Sequence, residues 1–441
     1  MPHELDKILI SWSQRDFQKR LEEFRISTFE ATWFRDDDRK RDKIKDIVED
    51  VSKRGDEAVA EYTEKFDGVK LIPEQFRVSK NELKKAYKGI EKKEPGILAS
   101  IRQAIENVRK YQTEIFIGNK NTHPGIKYTP IKRVGICVPG ASAPLLSTVI
   151  MTAVPAQVAG VKEIVVVSPP RYKGSIHPVI LAVCKELGID EVYRIGGAQA
   201  VAALAFGDKK SCRIKVDKIV GPGNAWVQMA KREVFGAVDI DSIAGPSEVL
   251  IIANDKANPA WIAADMLSQA EHAPGSAVVF TDSQELANEV LAELKKQVKQ
   301  LDRVEEIIKC LENFGGIVVF DDMKDIIDHA NVFATEHLEI QCGEQSREIA
   351  KKIENAGAIF IGDYSPVAVG DYWAGPSHTL PTGMTAKFFS ALSANDFIKS
   401  TSIIEYNKEK LAESAEDIIR LAEAEGLDAH ARSIKIRQQD L

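Results

Sequence analysis

From about residue 126 onward, short runs of β-branched residues alternate with alanine-rich runs of helical length. The stretch EIVVVSPP, for example, precedes SIHPVILAVCKELGI, and EVYRIGG precedes AQAVAALAFG. A second series of the same kind begins with EVLIIAN and PAWIAADMLSQAEH. Strands that alternate with helices of this length predict an α/β protein built on parallel, doubly wound sheets.

The two ends of the chain differ from this middle region. Residues 1–120 have helical character: DDDRKRDKIKDIVEDVSKRG, for example, opens with acids, has apolar residues at helical spacing and closes on Gly55. From about residue 385 the chain is again predicted to be helical. The helix KEKLAESAEDIIRLAEAEG has only a narrow apolar face, so it must dock on a larger surface.

Length, composition and charge limit the classes of function. A chain of 441 residues with 44% apolar and 28% charged residues is expected to form two to four globular domains. The net charge of −7, without a basic stripe, argues against nucleic-acid binding. No apolar run approaches the ~18 residues of a membrane span, and we find no secretory signal.

The cysteines give no sign of an oxidising compartment. All five are scattered, at positions 137, 184, 212, 310 and 342, and no Cys-x-x-Cys pair occurs. This pattern indicates neither a disulfide framework nor a thiolate zinc site. We therefore expect a reduced, cytoplasmic protein in which histidine, carboxylate or amide groups bind any metal.

Three glycine-rich turns follow predicted strands: PGASAP after Val138, GGAQA after Ile195 and GPGNA after Val220. None has the pattern G-x-G-x-x-G, and a tight turn without a ligand is the commoner explanation of each one alone. At the ends of successive strands, such turns leave helix N-terminal amides free for phosphate. Together they indicate a nucleotide site, to which Gln199 and Asn224 can offer side-chain amides.

The segment NPAWIAADMLSQAEHAPG is predicted to be a helix with Asn258 as its cap and Pro259 at its first position. Asp265, Gln269 and His272 share one face of this helix, at spacings i, i+4 and i+7. Such side chains are most often simply solvated, and glutamine is an uncommon metal ligand. By itself the helix therefore gives only a weak indication of a metal site.

The stretch ATEHLEI places Glu336 directly before His337. Adjacent side chains on a strand point to opposite faces, so a random pair of this kind usually has one exposed acid and one partly buried imidazole. The two can share a site if they lie on the turn that enters the strand. A predicted helix end near Phe333, followed by Ala-Thr, agrees with such a turn.

Two further segments combine acids with histidines. GDYWAGPSHTLPTG contains Asp371 and His378 in a stretch too rich in glycine and proline for a regular element, and shaped loops often carry function. AEAEGLDAHARS contains Glu425 and His430 near the end of the tail. A solvated loop or helix end is the simpler explanation of each segment. The recurrence of histidine beside acids, glycine and proline nevertheless makes the set suggestive.

Eight segments, in this order, resemble the histidinol dehydrogenase family: PGASAPLLSTVIM, GGAQAVAALAFG, KIVGPGNAWV, DSIAGPSEVL, LSQAEH, TEHLEI, GDYWAGPSHTLPTG and AEAEGLDAHARS. The resemblance extends from about residue 30 to residue 438, and the ordered set is specific although no single segment is. It implies the oxidation of L-histidinol to L-histidine through L-histidinal, the last step of histidine biosynthesis. It also implies NAD as cofactor, two per turnover, and one Zn²⁺ per subunit.

The resemblance assigns roles to single residues. It implies Glu336 and His337 as the catalytic pair, and Gln199 and Asn224 as cofactor contacts. The implied zinc ligands are Gln269, His272, Asp371 and His430. The implied substrate contacts are Ser247, Gln269, His272, His337, Asp371, His378, Glu425 and His430. One position departs from the family: many members have tyrosine where this chain has Cys137, which affects one nucleotide-stacking contact.

The implied layout has four parts. They are a helical arm, 1–30; an α/β domain with the zinc and catalytic residues, 31–133 and 246–384; a Rossmann-like NAD domain, 134–245; and a helical tail, 385–441. The family also implies a homodimer in which the tail of one subunit completes the active site of the other. No membrane or nucleic-acid partner is expected.

The chemistry of these residue types agrees with the implied reaction. Amide, imidazole and carboxylate ligands suit zinc and leave positions for the imidazole and amine of the substrate, so that the metal orients the alcohol. A histidine can take the hydroxyl proton during hydride transfer. A carboxylate can activate the water that the second oxidation requires.

Two other functions stay open at this point. A paralogue with the same fold and zinc chemistry would oxidise another amino- or sulfonate-bearing alcohol, although the intact set of Ser247, Glu336, His378 and Glu425 favours histidinol. A zinc hydrolase would use Glu336 to activate water, and its glycine turns would be structural. A simple binding module leaves the ordered acids, bases and ligands unexplained.

Overall fold

The computed structural model describes residues 4–26, 38–120, 123–140, 144–207, 214–272 and 274–438. The strands are β1 Leu9–Ser11, β2 Ile126–Pro130, β3 Arg133–Cys137, β4 Glu163–Val167, β5 Glu191–Tyr193, β6 Lys218–Val220, β7 Asp239–Ile240, β8 Ser247–Ala253, β9 Gly275–Thr281, β10 Gly315–Val319, β11 His337–Gln341, β12 Ala358–Ile361 and β13 Ile398–Ser402.

The α-helices are numbered in the same way along the described residues. They are α1 Phe17–Arg25, α2 Asp38–Arg54, α3 Asp56–Asp67, α4 Lys80–Lys93, α5 Pro95–Ile115, α6 Leu146–Ala159, α7 Pro178–Glu186, α8 Gly197–Phe206, α9 Ala225–Val234, α10 Pro259–Ala270, α11 Gln284–Gln297, α12 Val304–Phe314, α13 Met323–Phe333, α14 Ser346–Ala350, α15 Val367–Tyr372, α16 Lys408–Ala424 and α17 Asp428–Gln438.

The chain divides into two compact units, Met1–Phe116 with Pro130–Phe397 and Ile117–Thr129 with Ile398–Leu441. The first unit contains two sheets, with strand orders β5-β4-β3-β6-β7 and β1-β10-β9-β8-β11-β12. All their strand pairs are parallel. Counted along the chain, each sheet has the 3-2-1-4-5 order of doubly wound folds, and β1 adds an edge strand to the larger one. The predicted α/β class with parallel sheets is confirmed.

The continuous apolar runs of the sequence become strands that are buried on both faces, as parallel sheets require. In β8, Val249 and Ile251 enter one hydrophobic core, together with Met266 of α10. Leu250 enters the core on the opposite face, together with Phe333 of α13. This alternation fixes the register of β8, because a slip by one residue would exchange the two faces.

The beginning of the chain differs from the predicted helical arm and domain boundaries. Residues 1–30 are not helical throughout, because Leu9–Ser11 forms β1 and Ile10 pairs with Val318 in the apolar face of the larger sheet. Helices α2 and α3 were predicted to belong with the catalytic residues. Their apolar residues instead join the core of the five-stranded sheet, where Ile44 and Val48 lie in one cluster with Leu204.

The second unit contains the two-stranded sheet of β13 and β2, followed by α16 and α17. The predicted helical tail from residue 385 begins with two short 3-10 helices, Thr385–Lys387 and Ala394–Phe397, and is α-helical only from Lys408, because Ile398–Ser402 pairs with β2. Helix α16 begins at an Asn407 cap, whose side chain accepts the backbone N–H of Lys410 at 2.9 Å. Among the described residues, no helix combines the length and apolar character needed to cross a bilayer.

Candidate active site

Glu336 lies on the turn that leads into β11, as the sequence predicts, whereas His337 is already the first residue of that strand. Helix α13 ends at Phe333, and Ala334 adopts the left-handed conformation, with φ 46° and ψ 50°. A residue with a side chain is strained in this region, and such strain is often found at functional sites. The turn brings Glu336 Oε2 to 3.5 Å from His337 Nδ1, and both side chains are buried.

The Glu336 carboxyl group is held by hydrogen bonds from the beginning of β8. Its Oε2 accepts the Ser247 hydroxyl at 2.7 Å and the backbone N–H of Glu248 at 2.8 Å. Burial raises the pKa of Glu336 to about 7, although these hydrogen bonds act in the opposite direction. A carboxyl group with this pKa can both give up and accept a proton near neutral pH.

His337 is arranged as a neutral base. Its Nδ1 lies 2.8 Å from the carbonyl oxygen of Glu248, and because a carbonyl only accepts hydrogen bonds, Nδ1 carries the proton. Nε2 is then the atom with the lone pair. It is buried without a hydrogen-bond partner among the described residues. Burial lowers the pKa of His337, which keeps the ring neutral.

Asp371 and His378 line the same cavity as His337. Asp371 Oδ1 lies 3.9 Å from His337 Nε2 and 3.8 Å from His378 Nδ1. Burial raises the pKa of Asp371 to about 6 and lowers that of His378 to about 4. The three side chains line a cavity of about 210 Å³ together with Phe360. Asp371 was predicted to lie in an irregular loop, but it belongs to α15, and only His378 lies in a loop.

Gln269 lies in the last turn of α10, but His272, predicted to share a face of this helix, lies on the turn after the helix ends at Ala270. This helix is capped by Asn258 as predicted, since its side chain accepts the N–H of Ala260 at 2.9 Å. Gln269 is buried, and its Nε2 has no partner among the described residues. His272 is partly exposed; desolvation of its ring lowers its pKa, and the charge of Glu336 raises it. The imidazole beyond the end of α10 therefore interacts electrostatically with Glu336, on the turn before β11.

The remaining two predicted residues of the site belong to the second unit. Glu425 follows the end of α16 and His430 lies in α17, and both are exposed. Among the described residues, no three His, Cys, Asp or Glu side chains lie close enough together to hold a metal ion. The zinc ligands and the roles of Glu425 and His430 stay predictions.

A cavity of about 570 Å³ lies at the carboxyl ends of β3, β4 and β6, and the two predicted cofactor residues line it. Gln199 is buried, and neither atom of its amide has a partner among the described residues. Asn224 caps α9 by accepting the N–H groups of Trp226 and Val227 at 3.1 and 3.2 Å. This is the edge where doubly wound sheets bind nucleotides.

The turn between β6 and α9 is built rigidly. Gly221 has φ 106°, and a Cβ atom there would collide with the Cys137 carbonyl oxygen. The N–H of Gly221 donates to Asp241 Oδ2 at 2.7 Å, and its carbonyl oxygen accepts Lys231 Nζ at 3.1 Å. Lys231 and Asp241 also form a buried ion pair with each other. These contacts fix the backbone conformation of the turn, whose next residues, Pro222 and Gly223, line the cavity.

A family model and curated relatives agree on the family to which this chain is similar. The family model described as histidinol dehydrogenase matches residues 33–438. The histidinol dehydrogenase of Bacillus subtilis (strain 168) is 46% identical over 406 residues, which cover 90% of this chain and 93% of that protein. That of Rhodopirellula baltica is 46% identical over 402 residues, covering 90% and 86%.

A solved structure agrees. The crystal structure of histidinol dehydrogenase from Elizabethkingia anophelis has a TM-score of 0.83 and 34% sequence identity, covering 90% of this chain and 92% of that one. The chain belongs to the histidinol dehydrogenase family. As a member of that family it is an enzyme, an NAD-dependent oxidoreductase.

Glu248 also belongs to the site, although the sequence did not predict it. Its Oε1 accepts the N–H of Gly383 at 2.8 Å, and its Oε2 accepts the N–H of Glu336 at 3.3 Å. Burial, and then the charge of Glu336, raise the pKa of Glu248 to about 8. Its signal in the sequence was an acid within an otherwise apolar strand.

A second missed group lies farther along the same elements. The carboxyl groups of Asp265 and Glu339 are hydrogen-bonded to each other, and Gln341 Nε2 donates to both at 3.0 Å. Glu339 Oε1 also accepts the N–H of Val367, at the start of α15, at 2.9 Å. Burial, and then the charge of Asp265, raise the pKa of Glu339 to about 8. This group therefore ties together α10, β11 and α15, which carry Gln269, His337 and Asp371.

Proposed function

We propose that this chain oxidises L-histidinol to L-histidine, through L-histidinal, with two molecules of NAD. The observation that carries this proposal is the turn before β11 with the first residue of that strand, which combine a neutral base, His337, with a carboxyl group of pKa about 7, Glu336. Oxidation of an alcohol and then of an aldehyde requires one group of each kind. Membership in the histidinol dehydrogenase family supports the identity of the substrate.

In the first oxidation, His337 Nε2 accepts the hydroxyl proton of the substrate. The electrons of the O–H bond form the C=O double bond, and the hydrogen on the carbinol carbon leaves as hydride. Nε2 is suited to this because the Glu248 carbonyl holds the proton of the ring on Nδ1. Bound NAD supplies the hydride acceptor in both oxidations.

In the second oxidation, Glu336 accepts a proton from the water that adds to the aldehyde carbon. His337, protonated in the first oxidation, returns its proton to the aldehyde oxygen and completes the hydrate. The hydrate then loses a hydride from carbon to NAD and a hydroxyl proton to His337 Nε2, which gives the carboxylic acid. The pKa of about 7 allows Glu336 to be a carboxylate when water adds. Ser247 keeps the carboxylate oriented by its hydrogen bond at 2.7 Å.

We further propose that Gln269, His272, Asp371 and His430 hold one Zn²⁺, which when bound would orient the imidazole and amine of the substrate. The desolvated Asp371 carboxyl group suits a cation, as would the side-chain oxygen of the buried Gln269 amide. The C-terminal end of α10 adds a negative partial charge at the same place. Ser247, His378 and Glu425 are proposed as further substrate contacts.

Gln199 and Asn224 are proposed to contact NAD in the cavity at the carboxyl ends of β3, β4 and β6. The free amide of Gln199 can donate and accept, as a nicotinamide or ribose requires. Phe66 and Trp226, whose ring centroids are 6.5 Å apart, line the same cavity. Their rings offer a surface on which a nucleotide can stack, in a cavity that Cys137 lines in place of the tyrosine of many family members.

The proposed assembly is a homodimer in which Glu425 and His430 serve the site of the other copy. It rests on family membership, and exchange of subunits between two inactive variants tests it. If His337→Ala and His430→Ala are mixed, one site of each mixed dimer carries both changes and the other carries neither. Activity should return to about half per mixed dimer, whereas a mixture that stays inactive contradicts the proposal.

We propose a cytoplasmic location, since the four cysteines that the structure describes are free and buried. The reaction itself is tested by its stoichiometry. Purified protein with L-histidinol, NAD and Zn²⁺ should give two NADH for each histidine. One NADH with release of histidinal would remove the second oxidation, and hydrolysis without NADH would favour a zinc hydrolase. NADH formation with a sulfonated diol but not with histidinol would indicate the paralogous activity.

A further inference from the structure

Asp67 lines the 570 Å³ cavity and has an unused hydrogen-bond acceptor. It is the last residue of α3, and its side chain is only 4% exposed. Oδ1 accepts Arg171 Nε at 2.7 Å. Oδ2 is buried and has no partner among the described residues. A buried carboxylate oxygen without a donor is unfavourable, which points to a donor on a ligand.

The position of Asp67, as the last residue of its helix, is itself unfavourable for a carboxylate. The C-terminal end of a helix carries a negative partial charge, so a carboxylate there is repelled. Arg171 offsets the repulsion, because it pairs with Asp67 and also donates to the Phe66 carbonyl oxygen at 3.3 Å. The Arg171 side chain is 43% exposed, and Arg171 lines the cavity together with Asp67.

The sheet indicates which part of a ligand these residues would meet. Arg171 follows β4, the second strand of the 3-2-1-4-5 order. In doubly wound folds, the adenosine ribose of a dinucleotide lies beside the end of this strand, where an acid accepts its 2′-hydroxyl in NAD enzymes and an arginine accommodates the 2′-phosphate of NADP. Here the strand is followed by the arginine, and the acid comes from α3.

We propose that Asp67 accepts a hydrogen bond from the adenosine 2′-hydroxyl of NAD, and that the Asp67–Arg171 pair excludes NADP. The inference rests on the proposed cofactor cavity. The 2′-phosphate of NADP removes the hydroxyl donor and brings negative charge against a desolvated carboxylate. Arg171 attracts a phosphate only when Asp67 no longer engages it. Asp67 is thus the residue that determines cofactor specificity.

Binding of NADH and NADPH to the full-length protein, measured by calorimetry, tests this without turnover. In Asp67→Asn, NADH should bind about tenfold more weakly, because a hydrogen bond to a charged group is lost. NADPH should bind about tenfold more tightly, because Arg171 becomes free to pair with the phosphate. The double variant Asp67→Asn/Arg171→Gln should lose this gain.

Glu61→Gln is the matched control, because it removes an exposed acid of the same helix that pairs with Arg54 and should leave both affinities unchanged. Equal weakening of NADH and NADPH by Asp67→Asn would overturn the specificity role. A wild-type protein that binds neither nucleotide would instead overturn the cofactor cavity.

A ligand change tests the same contact without any variant. The 2′-deoxyadenosine analogue of NADH should bind the wild-type protein about tenfold more weakly than NADH does, since Asp67 then lacks its donor. Asp67→Ala should bind the two ligands equally. If the wild-type protein binds the analogue as tightly as NADH, Asp67 does not contact the 2′-hydroxyl and the inference is wrong.

Discussion

The two parallel sheets share one strand order but are used at opposite ends. In the five-stranded sheet, the cavity lies at the carboxyl ends of β3 and β6. In the six-stranded sheet, Ser247 and His337 are the first residues of β8 and β11, so the proposed catalytic cluster lies at the amino ends. The usual rule for doubly wound sheets holds for the first site and is reversed for the second.

Helix polarity gives a physical reason for this difference. At the carboxyl ends of the strands, α8 and α9 begin, and the first N–H groups of α8, which no side chain of the described residues caps, suit the phosphates of a nucleotide. At the amino ends, α10 terminates beside Gln269, and its free carbonyl groups suit a cation. One strand order therefore provides an anion site and a cation site, according to which end is open.

The two ends also differ in their titratable groups. In the cavity, Gln199 and Asn224 are neutral amides, and Asp67 is paired with Arg171. The cluster at the amino ends contains Glu248, Glu336 and, farther along β11, Glu339, and burial raises the pKa of all three. Proton transfer and pH dependence are therefore expected at the amino ends, and nucleotide affinity at the carboxyl ends. The following variants separate the two.

The largest effect is expected for His337→Gln, which removes the base of the first oxidation. Loss of a general base lowers kcat by about 10²- to 10⁴-fold. NADH affinity, measured by calorimetry, should stay at the wild-type value because the residue lies at the other sheet. Asp325→Asn, which changes an exposed acid of α13, is the control. Parallel loss of NADH binding would show that the two regions are not separate.

The second largest effect is expected for Glu336→Gln, which keeps the shape of the side chain but cannot accept a proton from water. The oxidation of histidinal should fall by about 10²- to 10³-fold, and the oxidation of histidinol to histidinal by much less. Single-turnover kinetics on each substrate measure the two steps. An equal loss on both would remove the role in water activation.

A third change addresses the carboxyl-end cavity. In Gly221→Ala the added Cβ collides with the Cys137 carbonyl oxygen, so the turn must shift. NADH should bind about 10- to 100-fold more weakly, corresponding to about 1–3 kcal/mol for a strained turn. Gly236→Ala, whose Cβ would meet open space although its φ is also positive, is the control. Bound zinc, measured by atomic absorption, should be unchanged, and its loss would contradict a local effect.

The smallest effect concerns the pH dependence of stability. The folded-state pKa of Glu339, about 8, lies above its ordinary value of 4.5, so the folded protein holds a proton that the unfolded chain releases. Stability is therefore lost as pH rises from about 4.5 to about 8 and levels off above it. In Glu339→Gln this loss should be smaller by about 1–2 kcal/mol, as urea unfolding at pH 5 and pH 8 can measure. If Glu339→Gln loses as much stability between pH 5 and pH 8 as the wild-type protein does, another group binds this proton.

The sequence predicts the parts of these sites that depend on local signals. The Asn258 cap and Pro259 define α10, and the helix end near Phe333 explains how Glu336 and His337 reach one site. Each of these features is determined by neighbours within a few residues, where capping and turn preferences act directly.

The parts that could not be predicted depend on tertiary contacts. Asp67 and Arg171 are 104 residues apart, and Glu248 and Glu336 are 88 apart. Nothing in the local pattern around Asp67 distinguishes it from other acids at a helix end. The β1 strand was missed for a similar reason, since three residues form a strand only because β10 offers an edge.

The most direct test of the opposite use of the two sheets is a crystal structure of the protein with NADH and Zn²⁺, with the metal located by anomalous scattering at the zinc edge. We expect the zinc peak within bonding distance of Gln269 and Asp371, at the amino ends of β8 and β11. We expect the nucleotide in the cavity lined by Gln199, at the carboxyl ends of β3 and β6. A nucleotide at the amino ends of the larger sheet, or a zinc ion that contacts neither Gln269 nor Asp371, would contradict the account.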